Sequence, residues 1–374
     1  MKLQKTSSRL TQILCLALAA VMLVMTLAGC GSESPAAIVV GDVRISSNMF
    51  CYWMSRYKAM FLYAYFGTTT DNAQYWTAQL ADGVSAGDFL EALAISNIKS
   101  NAVCLKLFED YGLQLSKDEI NAVDEKVNQK ISAAGSKSAL NSALSAYGAN
   151  VSVLREVYLA EAKLTALQSY LFGDNGIMKV TDAELDAYYK ENYYHDKHIL
   201  VLTSAKYVTD AEGNPEVDSS TGAYKTEELS EEEKAAKIEL AADLEKRIAA
   251  GEDFDALVAQ YTEDLGMQHF KNGYYFTSAS TYLPTDVINA VKELKIGDVQ
   301  TVETTAGIYI VKRYELEDKA YADENLAAMF SDMSSAVTSV KLQNLVAEHA
   351  DEIVTNDEII ADYPLAYCTA NFYY

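Results

Sequence analysis

Two short apolar runs, far apart in the chain, constrain the fold more than any other feature. The first is Ile199-Leu200-Val201-Leu202, preceded by Lys197 and His198; the second is Gly307 to Val311. Neither alternates apolar and polar residues, so each reads as a buried strand. Their matching character predicts that they pair at the middle of one small sheet. The residues between them read as helices, turns and one long polar excursion. Before and after them the pattern is helical. A strand-bearing module, His195 to Arg313, is therefore set into an α-helical frame, and the module decides the function.

The composition excludes some classes. With 374 residues, half of them apolar, the chain can bury two or three domain cores. The formal charge is −23, and clustered Lys and Arg for phosphate contacts are lacking, so nucleic acid is not an expected partner. Proline is scarce, with 4 residues, and tyrosine abundant, with 26, which favours a folded chain over a disordered one.

Residues 1–29 read as a secretory signal. Lys2, Lys5 and Arg9 precede an apolar run from Ile13 to Leu27 broken only by Thr26. That run is short for a membrane span. It ends in Leu27-Ala28-Gly29-Cys30, which looks like a bacterial lipobox. In such signals the cysteine is diacylated and becomes the new N-terminus, and more than one acyl chain anchors stably. The alternative is an ordinary signal with an unrelated cysteine. The lipobox reading makes Cys30 the lipidation site and residues 30–37 a tether, with the body outside the cytoplasmic membrane. Cys51, Cys104 and Cys368 remain, an odd and widely spaced set that implies no disulfide framework. No Cys/His spacing suggests a metal, and no cofactor is expected.

The frame opens with a hairpin over residues 38–45, turning at Gly41-Asp42. Ser46 or Ser47 caps an unusually aromatic helix. Phe50, Trp53, Met54, Tyr57, Met60, Phe61, Ala64 and Tyr65 form its apolar face, with Tyr52, Tyr63 and Phe66 off it. The plain reading is a core helix; the sharper one is a cleft lining for unfolded chain. Residues 68–82 read as a loop. Further helices are expected over 86–111, 116–133, 140–148, 151–170, from the Thr181 capping box, and over 321–349, then a strand at 353–355 and a piece capped by Thr355.

Within the module, 197–202 is the first strand and 203–228 the turn-rich excursion. A capped helix ends near Ala250, with Ile238, Ala241, Leu244 and Ile248 inward. A second helix covers 253–262, a short strand 274–276, a third helix 284–294, and 308–311 is the last strand. This order resembles the parvulin family of peptidyl-prolyl isomerases. His198 to Val201 looks like the family's opening histidine strand. Gly251 to Leu257, followed by Gln260 to Asp264, resembles the helix that ends at its active-site acid or cysteine. Ala290 to Val299 and Thr301 to Val311 look like its third helix, glycine turn and closing strand. The match covers about a third of the chain. With helical flanks and a lipobox, the whole is similar to secreted foldase lipoproteins of the PrsA and SurA type.

The resemblance implies an α+β protein. A helical chaperone domain would be built from residues 38–194 and 317–374, with the isomerase domain at 195–316 between them. It implies a polar set of His198, Asp264, Thr304 and Tyr309, and an apolar slot lined by Phe276, Leu283 and Val287. The chain departs from the family in four places, one being the glycine-rich stretch before Phe276, reduced to Lys271-Asn272-Gly273. Tyr309 stands where the family has a second histidine, Val287 where it has an aromatic, and Leu283 where it has Met. His195, His269 and His349 read as incidental. The implied function is a membrane-anchored, extracytoplasmic isomerase acting on newly secreted or unfolded polypeptides. The alternative is a holdase with a degenerate parvulin domain. A solute-binding lipoprotein would need repeated strand–helix units that are not seen. The reading leaves room for a homodimer.

Overall fold

The computed structural model describes residues 34–80 and 83–374; the signal segment, Cys15 and Cys30 lie outside them, as does the side chain of His269. In chain order the elements are β1 (Ala36–Val40), β2 (Val43–Ser46), α1 (Ser47–Phe66), α2 (Ala73–Thr77), α3 (Ala86–Asp110), α4 (Lys117–Ala133), α5 (Lys137–Leu144) and α6 (Val151–Phe172). Next come α7 (Asp182–Asn192), β3 (Tyr194–Leu202), β4 (Ala205–Tyr207), β5 (Thr226–Glu228), α8 (Glu231–Ala249), α9 (Phe254–Tyr261), α10 (Leu265–His269), β6 (Tyr274–Phe276), α11 (Thr285–Glu293), β7 (Val299–Glu303) and β8 (Gly307–Tyr314). The chain ends with α12 (Ala327–Ala347), β9 (Ile353–Thr355) and α13 (Asp357–Ala361). The α+β reading holds. Among the described residues no helix is long and apolar enough to cross a membrane.

Packing divides the described chain into two units, 34–179 with 340–374, and 180–339. The first unit joins both chain ends. β1 lies between β2 and β9, with Val39 opposite both Arg44 and Val354. Gly41 turns the hairpin at φ 58°, in the left-handed region glycine tolerates. Ser46 caps α1 by accepting from the Met49 amide. α1 is buried on a wider face than its periodicity predicts. Tyr52, placed off the apolar face, is fully buried, whereas Met60 and Tyr65, placed on it, are exposed with Tyr63. Lys58 is buried and donates to the carbonyls of Ala366 and Cys368, both at 2.8 Å, so its charge pins the C-terminal tail. Residues 73–77, expected as loop, form a helix capped by Asn72, and α13 is capped by Asn356 rather than Thr355.

The second unit is built on a four-stranded sheet in the order β6-β3-β8-β7. The two apolar runs do pair centrally: β3 and β8 are antiparallel, with His198 opposite Val311 and Leu202 opposite Gly307. β7 was missed as a strand because its burial is partial and its sequence, Val-Gln-Thr-Val-Glu, is mostly polar. One sheet face, with Ile199, Val201 and Ile310, packs on Ala241 and Leu244 of α8 and on Phe254 and Leu257 of α9. Ile238, expected inward, is exposed. The other face, with Leu200, Leu202 and Tyr309, packs on Val287, Ile288 and Val291 of α11. The excursion contains the two-stranded β4–β5 hairpin. The unit extends beyond 195–316 because Leu185, Tyr189 and Tyr193 share a core with Tyr275, Tyr321, Met329 and Met333.

Candidate active site

Side chains alternate across a strand, so Asp196, His198, Leu200 and Leu202 of β3 lie on the same face as Tyr309 and Val311. β6 pairs with β3 only at residues 194–196. Beyond that point the β3 edge would be left unpaired, which buried backbone does not tolerate. Residues 262–263, just after α9, take over. The Leu200 amide donates to the Thr262 hydroxyl at 3.2 Å and its carbonyl accepts from the Glu263 amide at 2.8 Å. The Leu202 amide donates to the Glu263 carboxylate at 2.8 Å. This edge pairing delivers the next residue, Asp264, to His198.

His198 is fully buried between two carboxylates. Its Nδ1 lies 2.8 Å from Asp196 Oδ2 and its Nε2 lies 2.9 Å from Asp264 Oδ2. Carboxylates only accept, so both ring nitrogens donate and the ring is an imidazolium. Burial opposes that charge, but the hydrogen bonds to Asp196 and Asp264 outweigh it and raise the His198 pKa to about 9. Burial likewise raises the Asp264 carboxyl, yet its bond to His198 wins and holds it below the usual range. The other Asp264 oxygen caps α10 by accepting from the Gly266 amide at 2.8 Å.

Two aromatic rings enclose the imidazolium. Tyr274 is stacked parallel to it, with centroids 5.5 Å apart and planes 7° apart, and Tyr309 is tilted at 5.1 Å. Burial pushes the Tyr309 hydroxyl up to about 12, so it keeps its proton at neutral pH. Gly266 leaves room for the Tyr274 hydroxyl, which a Cβ there would overlap.

Phe276, Leu283 and Val287 are buried together in one cluster with Tyr309 and Leu200. His198, Asp264 and Tyr309 also converge. Thr304 does not join them. Its hydroxyl donates to the Gly307 carbonyl at 2.9 Å and accepts from the Gly307 amide at 3.2 Å, closing the β7–β8 turn. That turn lies beyond the Leu202–Gly307 pair, four residues along the strand from His198, or roughly 13 Å. Sequence reasoning missed Asp196 and Tyr274. The two-residue period of a strand was the signal for Asp196, since it shares the face of His198. His195 is not incidental: its ring nitrogens sit 2.8 Å from the Glu315 carbonyl and 2.6 Å from that of Asn272. Among the described residues no His, Cys, Asp and Glu group could hold a metal ion.

A small antiparallel sheet, a buried apolar cluster under α11 and a buried Asp–His–Asp array make up the centre of this unit. Residues 223–315 match the family model of the rotamase, PPIC-type PPIase domain. The chain thus carries a parvulin-type peptidyl-prolyl cis-trans isomerase domain. The match begins after β3, and His198 joins it through the eight-residue pairing of β3 with β8.

Among solved structures, the chain is similar to PrsA from Bacillus subtilis at 21% identity, over 79% of this chain and 99% of that one, with a TM-score of 0.23. It is similar to the peptidylprolyl isomerase PrsA from Bacillus cereus at 19% identity, over 76% and 95%, with a TM-score of 0.30. The protein TbPIN1 matches at 28% identity over 33% of this chain and 98% of its own, with a TM-score of 0.24. No curated protein matches the chain.

Proposed function

We propose that this protein is a lipid-anchored, extracytoplasmic foldase that accelerates X-Pro isomerisation in secreted polypeptides. The observation that carries the activity is the buried Asp196–His198–Asp264 array beside the apolar cluster of Phe276, Leu283 and Val287 in a PPIC-type domain. A planar amide owes its barrier of ~18–20 kcal/mol to resonance that places negative charge on oxygen. An apolar slot for the proline ring, walled by an anionic carboxylate, disfavours that charge separation and so favours the twisted amide. A 10,000-fold acceleration needs about 5.5 kcal/mol of such preference.

The residues take different parts in this reading. Both N–H groups of His198 are committed to carboxylates, so His198 positions Asp264 rather than touching substrate. Asp264 is partly exposed and supplies the anionic wall. Tyr309 keeps its proton and supplies a donor. Thr304 shapes the turn at the mouth of the closing strand. Anchoring rests on the lipobox-like segment ending at Cys30.

The test is isomerisation of a short X-Pro peptide by the full chain, with Cys30→Ser compared for membrane association. Acceleration that Asp264→Ala abolishes supports the activity, and release of the Cys30→Ser protein supports the anchor. Continued tight membrane association would overturn the anchor alone.

A holdase role for the first unit has its own support in the exposed Met60, Tyr63 and Tyr65 on α1. Suppressed client aggregation with no acceleration of any peptide would leave only that role.

A further inference from the structure

We propose that a cavity of the 180–339 unit, next to the buried cluster of Phe276, Leu283 and Val287, is a subsite for an aromatic or large apolar residue flanking the proline of the client chain. This rests on the isomerase reading above. The cavity holds about 640 Å³, within the ordinary range of ligand sites, and its lining is mostly apolar. Its walls include Tyr188, Tyr193, Tyr274, Tyr282, Leu326 and Met329.

Two observations tie it to that cluster. Tyr274 is a shared wall: its ring stacks on His198 and also lies 5.8 Å from Tyr282 inside the cavity. Tyr282 and Leu283 are consecutive, yet Leu283 is buried in the cluster while Tyr282 is 55% exposed and lines the cavity. One residue of chain therefore separates the two sites. An extended client advances about 3.3 Å per residue, so a side chain one or two positions from a bound proline reaches the second cavity.

The cavity is also shaped in advance. An exposed tyrosine is normally free to change rotamer, but the Tyr282 hydroxyl donates to the Tyr275 carbonyl and holds the ring in place. A preorganised aromatic wall binds with less loss of side-chain freedom. Aromatic partners pair edge to face on such walls. Asp332 stands in the lining and carries the same sign as the protein's net charge of −23, so an acidic flanking residue is disfavoured.

The test measures kcat/KM of the full chain on peptides Ala-Xaa-Pro-Yaa, with Xaa and Yaa in turn Ala, Phe and Glu. We expect roughly ten-fold preference for Phe over Ala at one flank, with Glu poorest. Ala328→Trp and, separately, Thr281→Trp fill the cavity from exposed lining positions. Each should cut the Phe preference below about two-fold while leaving the rate on the all-Ala peptide within about two-fold. Equal rates for Phe and Ala peptides, or a preference that survives both fillings, would overturn the subsite and leave the isomerase standing. No acceleration of any peptide would overturn the isomerase reading and the subsite with it.

Discussion

Asp264 accepts a hydrogen bond from Nε2 of His198 at 2.9 Å, across a sequence separation of 66 residues. The bond exists because residues 262–263 complete the edge of β3 where β6 stops. His198 is consequently a buried cation held by two anions, and its removal is a structural event as well as a kinetic one.

Replacing His198 by Ala leaves Asp196 and Asp264 facing each other in a buried site. Loss of one partner from such an array costs about 3–5 kcal/mol. Asp264→Asn keeps an acceptor and should cost less, about 1–2 kcal/mol, while lowering turnover more than stability. Urea denaturation of both variants checks this. A His198→Ala loss under about 1 kcal/mol would show that the array does not hold the site together.

The same array sets a pH dependence. His198 binds its proton more tightly folded than unfolded, so its contribution is complete below 6.5 and is lost as pH rises towards about 9. The size is on the order of 3 kcal/mol. Asp264 has a lowered value, so its contribution is present above 3.8 and is lost as pH falls. Denaturation midpoints should therefore be highest between these limits and decline from 6.5 to 9. In His198→Gln the alkaline decline should flatten; an unchanged slope would contradict the imidazolium.

Gly266 is required by its neighbour. A Cβ there overlaps the Tyr274 hydroxyl and would push the ring off His198. Gly266→Ala should cost about 1–3 kcal/mol by overpacking and reduce turnover. Tyr274→Phe should recover part of that loss. A double-mutant cycle with a coupling near zero would place the strain elsewhere.

Lys58 tests the other unit. It is buried, donates to the Ala366 and Cys368 carbonyls, and pairs with Asp71 at 2.6 Å. Lys58→Met should destabilise by about 2–4 kcal/mol and expose residues 363–374 to protease. Proteolysis at the wild-type rate would count against the tether.

Much of this was readable before the fold. The paired apolar runs and the capping boxes at Ser116, Thr181 and Ser230 follow from local pattern and spacing, and the grouping of Phe276, Leu283 and Val287 from the resemblance to the parvulin family. β7 and the wide burial of α1 were not, because Thr301 and Tyr52 take their environments from distant strands and helices. The parvulin resemblance placed Thr304 in the polar set, and its hydrogen bonds show that it serves its own turn.

The sequence by itself determined most of the order of elements, because periodicity and caps act over a few residues, and its resemblance to the parvulin family named the residue types of a site. The tertiary structure decided which of those residues meet. His198 became an imidazolium only when edge pairing brought Asp264 to its far nitrogen, and Tyr274 became part of the site only when its ring settled on that cation. Those are contacts of long sequence separation, and no local pattern encodes the balance of burial against pairing that sets a buried charge.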